Sequence, residues 1–216
     1  MKEMKVRVTL LEDILGTLPG DPEIYKTYIA SKAPDAATKE QEVADFGTDQ
    51  VYEKGVTVFA RDNDKPFLYD YLIKGFFKNA CSALRESTDY ASNKLTSYKK
   101  KIDNLVFVFP RKIFFDYEGE ITICERPLRA QTPQGERVAI VASETIPAGT
   151  SIEFTVKVIK DEMMKYVIEW LDYGCFNGLG QWHNSGKGRF EWQDITDPET
   201  KKRQEKKASK KEESEE

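Results

Sequence analysis

A segment near the carboxyl end combines backbone freedom with positive charge and aromatic surface. Residues 178–192 read GLGQWHNSGKGRFEW, with glycine at four positions. Glycine lets a backbone approach another group closely, while Lys187 and Arg189 supply charge and Trp182 offers a ring for stacking. Two interpretations are open: a tight connection whose aromatics fill the core, or a loop that contacts the phosphates and bases of a nucleic acid.

This segment does not match the common phosphate-binding fingerprints. A P-loop has four residues between its glycines and then Lys followed by Ser or Thr. Here five residues separate Gly180 from Gly186, and Gly188 follows Lys187. The dinucleotide fingerprint fails as well, because His183 stands at the position of its third glycine. A nucleoside triphosphate or dinucleotide is therefore not predicted as the ligand.

Two other segments carry cations that could contact phosphate. LIKGFFKNA belongs to a predicted helix, and RPLRAQTPQGERVA surrounds a predicted turn. On an exposed helix such lysines are more often simply solvated, and the arginines could equally pair with Glu125 or Glu136. The candidates in these two segments are Lys74, Lys78, Arg126, Arg129 and Arg137.

The composition excludes several classes of protein. The chain of 216 residues has a net charge of −4 and a single histidine. A His/Cys metal site is therefore not expected, no acid–base pair of carboxylates is recognisable, and no cofactor is predicted. There is no apolar run of about 18 residues, no signal peptide, and only three dispersed cysteines. These features predict a cytoplasmic protein with no membrane partner.

Hydrophobic periodicity predicts the elements that must position the candidate residues. Alternating apolar residues predict strands, and apolar residues three and four apart predict helices. The predicted elements are a strand at 4–11, a helix at about 22–32, a strand and an Asp-Asn-Asp turn within 55–66, a helix at 67–87, two strands within 105–117, antiparallel strands over 121–159, a helix at 161–174 and a strand at about 188–193.

This order of elements predicts an α+β fold on the ferredoxin-like β-α-β-β-α-β plan, an antiparallel sheet with helices on one face. The sequence further predicts that residues 21–55 form an insertion after the first strand and that 196–216 form a disordered charged tail. Gly75, inside the long helix, predicts a close neighbour to its backbone. The predicted helix core is Leu72, Phe76, Phe77, Ala80 and Leu84, then Met164, Val167, Ile168 and Leu171.

Four stretches, in order, resemble the RAMP superfamily, the RNA-binding subunits of CRISPR effector complexes. They are VRVTLLEDILGT, GVTVFARDNDKPFLYDYLIKGFFKNACSALR, SETIPAGTSIEFTVKVI and GLGQWHNSGKGRF. The likeness is greatest to the repeated backbone subunits of type III systems. It implies a modified ferredoxin-like (RRM-like) domain over residues 1–195, with the insertion as the family's thumb or finger region.

The resemblance also implies single-stranded RNA as partner, held by the long helix and the glycine-rich loop. Copies of the chain or other CRISPR-like subunits are further expected partners. The predicted RNA-binding residues are Lys74, Gly75, Lys78, Arg126, Arg129, Arg137, Gly178, Gly180, Trp182, His183, Asn184, Gly186, Lys187, Gly188 and Arg189.

Three functions remain open on the sequence. The first is a non-catalytic RNA-binding protein in which the loop lies alongside the cationic start of the long helix. The second is a metal-dependent endoribonuclease of the same fold. The third is an accessory interaction protein of a phage or mobile element that kept the fold without RNA binding. The third is favoured by YDYLIKG, which stands where the family has Gly-Ser-Ser before Leu-Lys-Gly.

Overall fold

The computed structural model describes residues 1–20, 56–132, 135–198 and 200. The predicted insertion, its helix at about 22–32, and the predicted tail beyond residue 200 lie outside this part of the chain. Strands are numbered β1–β12 and helices α1–α3. The strands are Lys2–Leu10, Ile14–Leu15, Leu18–Pro19, Val56–Val58, Ala60–Asp62, Lys65–Tyr69, Val106–Phe109, Lys112–Asp116, Thr122–Thr132, Gly135–Ile146, Ser151–Val158 and Phe190–Asp194. The helices are Asp70–Leu84, Tyr98–Leu105 and Met163–Asp172.

The described strands form two sheets. The main sheet has the order β12-β1-β11-β8-β6-β5, and β7 also pairs with β11. Every pairing in it is antiparallel. The α+β class with antiparallel pairing is therefore confirmed. Alternation places Val6 and Val8 of β1 and Phe154 and Val156 of β11 in the core.

The helices cover the same face of the main sheet as these buried strand residues. Phe77 of α1 packs on Trp170 of α3 with ring centroids 5.6 Å apart, and Phe76 packs on Phe190 at 5.2 Å. Ile102 of α2 is fully buried in this core. Among the described residues, no helix combines the length and the apolar character that crossing a bilayer requires.

Several predictions about the helices are wrong in detail. The long helix begins at Asp70, because Lys65–Tyr69 instead pairs with β8 as a strand. Ile168 is 39% exposed, and Trp170 takes the core position in α3. Gly75 is exposed, with no described atom within 4 Å of a Cβ built there, so the predicted close neighbour is absent from the described part of the chain.

The second sheet has the order β2-β10-β4-β3, with β9 paired to β10. The long β9–β10 hairpin matches the predicted antiparallel strands, but it does not continue directly into the sheet of β11. A turn at Pro147, closed by the Thr150 hydroxyl on the Pro147 carbonyl at 2.7 Å, separates them. The pairing of β9 with β10 is antiparallel as predicted, whereas β10 pairs with β4 in parallel, which the sequence did not indicate.

A buried carboxylate joins the two sheets. Glu144 of β10 accepts hydrogen bonds from Arg61 Nη1 at 3.0 Å and Nη2 at 2.6 Å. It also accepts from the backbone N–H of Phe59 at 2.9 Å. The side chains of Glu144 and Arg61 are 6% and 19% exposed. The link holds β4 and β5 against the β9–β10 hairpin. Arg126 belongs to strand β9 of this hairpin.

Candidate nucleic-acid interface

The glycine-rich loop between α3 and β12 is folded tightly on itself. A Cβ on Gly178 would lie 2.0 Å from the carbonyl carbon of Gly188, and a Cβ on Gly188 would lie 1.9 Å from the Leu179 oxygen. Gly188 also has φ of +69°, which side-chain-bearing residues rarely adopt. Close backbone packing therefore requires glycine at these two positions, as the first interpretation of the segment expects.

The loop is attached to the connection between β1 and β2. Gly188 N–H donates to the Asp13 carbonyl at 2.8 Å, and Leu11 N–H donates to the Arg189 carbonyl at 2.7 Å. Gly180 lies against the same connection, since a Cβ there would be 2.8 Å from the Leu15 carbonyl oxygen. The loop is thus a fixed part of the domain surface.

Both predicted loop cations lie next to carboxylates on that connection. Lys187 Nζ is 2.9 Å from Asp13 Oδ2, and Arg189 Nη2 is 2.9 Å from Glu12 Oε1. The Nε atom of Arg189 is buried and has no hydrogen-bond partner among the described residues. The two cations are therefore held in place at the edge of the loop, with their charges partly compensated.

The Asp13–Lys187 contact shifts the pKa of both groups. Burial alone would raise the pKa of Asp13, but the hydrogen bonds from Lys187 and from Ala148 N–H outweigh it and hold the pKa below its usual value. The hydrogen bond to Asp13 raises the pKa of Lys187 despite partial burial. Both groups are charged near neutral pH, so the contact is an ion pair there.

Arg126 brings the β9 strand to this loop. Its Nη1 donates to the Ser185 hydroxyl at 2.7 Å, and its guanidinium carbon is 5.1 Å from the centre of the Trp182 ring. Trp182 and Arg126 are each partly exposed, and Ser185 is exposed. We call the set Arg126, Trp182, Ser185, Lys187 and Arg189 the loop junction.

The remaining loop candidates lie beside the junction. His183 Nδ1 is 3.2 Å from the Gly180 carbonyl, so this ring is tied to the loop backbone. Asn184 is exposed. Gly186 has φ of +83°, and its nearest side-chain neighbour is Arg189.

Lys74 and Lys78 lie elsewhere. Lys74 Nζ donates to the Asp103 carbonyl at 3.1 Å and lies 5.1 Å from the Phe107 ring centre. Lys78 forms an ion pair with Asp103 at 2.6 Å. Burial, chiefly, lowers the pKa of Lys74. The cations of α1 are thus anchored to α2 and β7.

The strand register separates these lysines from the loop. Phe107 pairs with Lys157, and Lys157 pairs with Glu3 near the start of β1. The loop is attached beyond Leu10, at the other end of β1. Seven residues of strand span about 23 Å. The sequence-based hypothesis required the start of α1 to lie beside the loop. The structure instead places these two features apart.

Arg129 and Arg137 are located only by their backbones. Arg129 pairs with Val138, and Arg137 pairs with Ala130, within the β9–β10 hairpin. Their side chains fall outside the described part of the structure. A role for these two arginines in RNA binding stays a prediction.

The described residues contain no group of three or more His, Cys, Asp or Glu side chains that could hold a metal ion. The carboxylates Glu12 and Asp13 belong to the ion pairs described above. The side chains of the loop junction can supply stacking, hydrogen bonding and charge attraction.

Comparisons with known proteins give structural neighbours at low identity. A chain of the type III-B Cmr-beta complex, solved by cryo-EM bound to cognate target RNA, is 12% identical with a TM-score of 0.49, over 90% of this chain and 60% of that one. A chain of a type IV-B CRISPR complex is 11% identical with a TM-score of 0.44, over 91% and 92%. This chain thus spans less than two thirds of the Cmr-beta chain. No family model and no curated protein matches the sequence.

The sequence pattern indicated the loop cations but not the groups that face them. Asp13 and Lys187 are 174 residues apart in the chain. The nearest signal for the carboxylates was the LEDIL segment after the first strand, whose acidic residues lie where the strand alternation ends. Ser185, which accepts the Arg126 hydrogen bond, carries no signal of its own.

Proposed function

We propose that this protein binds single-stranded RNA at the loop junction and does not cleave it. The observation that carries the proposal is the position of Arg126, whose guanidinium lies over the Trp182 ring while it donates to Ser185. A planar cation on an indole offers a base a surface to stack on and offers a phosphate two parallel N–H donors.

The junction combines two kinds of contact by which proteins hold single strands. Trp182 supplies an aromatic face, and Arg126, Lys187 and Arg189 supply positive charge. Single-strand binding sites use aromatic stacking together with a cationic groove. Ser185 and Asn184 are exposed polar groups that can recognise a ribose 2′-hydroxyl. RNA rather than DNA is also what the resemblance of the four ordered segments to RAMP proteins implies.

Glu12 and Asp13 set the strength of this interaction. They already pair with Arg189 and Lys187, so a phosphate must replace a carboxylate as the partner of each cation. Replacing a carboxylate by a phosphate gains less free energy than binding a phosphate to an unpaired cation. The exchange is also sensitive to salt concentration. We therefore expect a moderate affinity for single-stranded RNA that falls as the salt concentration rises.

Removing the stacked pair tests the proposal. We expect Arg126→Ala and Trp182→Leu each to weaken binding of a fluorescent oligouridylate about tenfold, because one stacked base is worth about 1–3 kcal/mol. Arg126→Ala should also reduce the slope of log affinity against log salt by about 0.7. Lys100→Ala, which removes an exposed cation of α2, is the matched control and should leave affinity unchanged. Equal affinities for wild type, both junction variants and the control would reject the site.

Neutralising the carboxylates should have the opposite effect. In the double variant Glu12→Gln/Asp13→Asn, Lys187 and Arg189 lose their anionic partners while the side-chain shapes are kept. We expect this variant to bind the same oligouridylate about threefold to tenfold more tightly at low salt, a gain that diminishes at high salt. Unchanged or weaker binding, with the thermal midpoint unaltered, would show that phosphate does not reach these two cations.

The compensated charges also support one other function. A protein-interaction module that has lost RNA binding would keep its loop cations paired to its own carboxylates, as Lys187 and Arg189 are. This function predicts no measurable affinity of the wild type for RNA at any salt concentration. Carriage by a phage or mobile element stays a prediction in either case.

A further inference from the structure

A row of phenylalanines lies on the face of the main sheet that the helices do not cover. Phe107 and Phe109 of β7 and Phe114 of β8 are 37%, 48% and 43% exposed. The residues that alternate with them, such as Val108 and Ile113, are buried in the helix-covered core. We call these three rings the sheet row. Packing of the described residues accounts for the buried positions but leaves the sheet row at the surface.

Cations lie close to two of these rings. Lys74 Nζ is 5.1 Å from the centre of Phe107, and Lys157 Nζ is 5.7 Å from the centre of Phe109. Both distances are within the range of a cation–π contact. Phe107 and Phe109 are therefore each flanked by a positive charge.

Further positive charge continues across the sheet from the row. Lys5 pairs in register with Thr155, which pairs with Phe109. Lys5 and Arg7 both contact the single carboxylate of Glu153, at 2.8 Å and 2.6 Å. The hydrogen bonds from Lys5 and Arg7 lower the pKa of Glu153, which is therefore charged at neutral pH and balances only one of the two cations. Lys157 is likewise paired with Glu3, at 2.9 Å. Lys5, Arg7 and Lys157 thus face the two carboxylates of Glu3 and Glu153, and the excess charge of this group is positive.

We infer that the sheet row is a second surface for single-stranded nucleic acid, with bases stacking on Phe107 and Phe109 and the backbone contacting Lys5, Arg7 and Lys157. Two residues of strand place Phe107 and Phe109 about 7 Å apart, so that each ring can stack a different base. An apolar protein segment would need a continuous hydrophobic patch, whereas stacked bases tolerate and use the interleaved cations.

The inference assigns Lys74 to this surface. Its ammonium group lies over Phe107, about 23 Å along the strand direction from the loop junction. The inference rests on the proposed function for the kind of ligand, but it uses none of the residues of the loop junction.

Ring substitutions distinguish stacking from other roles. Phe107→Leu/Phe109→Leu keeps apolar side chains and removes both π faces, whereas Phe107→Tyr/Phe109→Tyr keeps the faces. We expect the leucine pair to weaken oligouridylate binding about tenfold to one hundredfold. The tyrosine pair should stay within about twofold of wild type. Tyr90→Leu, at a ring that is 40% exposed between α1 and α2, is the matched control. Thermal midpoints measured on all variants separate binding effects from unfolding.

The outcomes separate this inference from the proposed function. Loss with the leucine pair and retention with the tyrosine pair support it. If the leucine pair binds like wild type while Arg126→Ala weakens binding, the inference is overturned and the loop junction stands. If only the leucine pair weakens binding, the sheet row stands and the loop junction does not. A wild type that does not bind RNA overturns both.

Discussion

Replacing Glu144 by alanine is expected to lower the free energy of unfolding by about 3–5 kcal/mol, the cost typical of breaking a buried ion pair from one side. The substitution removes the acceptor of two guanidinium hydrogen bonds and of the Phe59 N–H at once. An uncompensated donor in the junction of two sheets is costly because water does not replace the lost partner. Urea denaturation followed by circular dichroism measures the change.

The control for this prediction is a more exposed carboxylate that also forms ion pairs. Glu153 contacts both Lys5 and Arg7, but its side chain is 35% exposed. Surface ion pairs contribute little, so Glu153→Ala should cost less than about 1 kcal/mol. Equal losses for the two variants would mean that Glu144 does not act as a buried link between the sheets.

Replacing Gly188 by alanine is expected to cost about 2–5 kcal/mol and to abolish RNA binding at the loop junction. The left-handed backbone conformation at φ of +69° contributes about 1–2 kcal/mol of this. The clash contributes the rest, because a Cβ 1.9 Å from the Leu179 oxygen meets backbone that can yield only if the loop shifts. That shift moves Lys187 and Arg189, which flank the position.

Gly149→Ala is the matched control. Gly149 has φ of +84°, but no described atom lies within 4 Å of a Cβ built there. It should therefore show the conformational cost without the clash, about 1–2 kcal/mol, and bind RNA like wild type. If Gly188→Ala unfolds at the same urea concentration as Gly149→Ala, the close backbone approach at Gly188 is not needed for stability.

Local patterns predicted the parts of the fold that depend on a single periodicity. The alternation in β1 and β11 is strict, since each strand buries one face on the helices, and both strands were predicted from it. The start of α1 was not predicted, because Lys65–Tyr69 is as apolar as the helix that follows it. Run length alone does not separate a buried strand from a buried helix.

Long-range pairings left weaker signals. Helix α2, YKKKIDNL, buries only Ile102, so its sequence has no apolar stripe to indicate a helix. The parallel pairing of β10 with β4 joins Ala142 to Val56 across 86 residues, and neither strand specifies its partner. For the same reason the sequence indicated the loop cations but not Glu12 and Asp13. The sequence-based hypothesis also placed Lys74 beside the loop, whereas the structure places Lys74 against Phe107.

The central claim is that RNA stacks on the Trp182–Arg126 pair, and tryptophan fluorescence during titration with unlabelled oligouridylate measures it most directly. Trp170 is fully buried, and Trp192 of β12 donates to Asp172 of α3 at 2.8 Å. A change from Trp182 can therefore be isolated by subtracting the response of Trp182→Phe. We predict saturable quenching in the wild type at low salt, weakened by added salt and absent from Trp182→Phe. Binding of the oligonucleotide with identical fluorescence changes in the two proteins would contradict the claim.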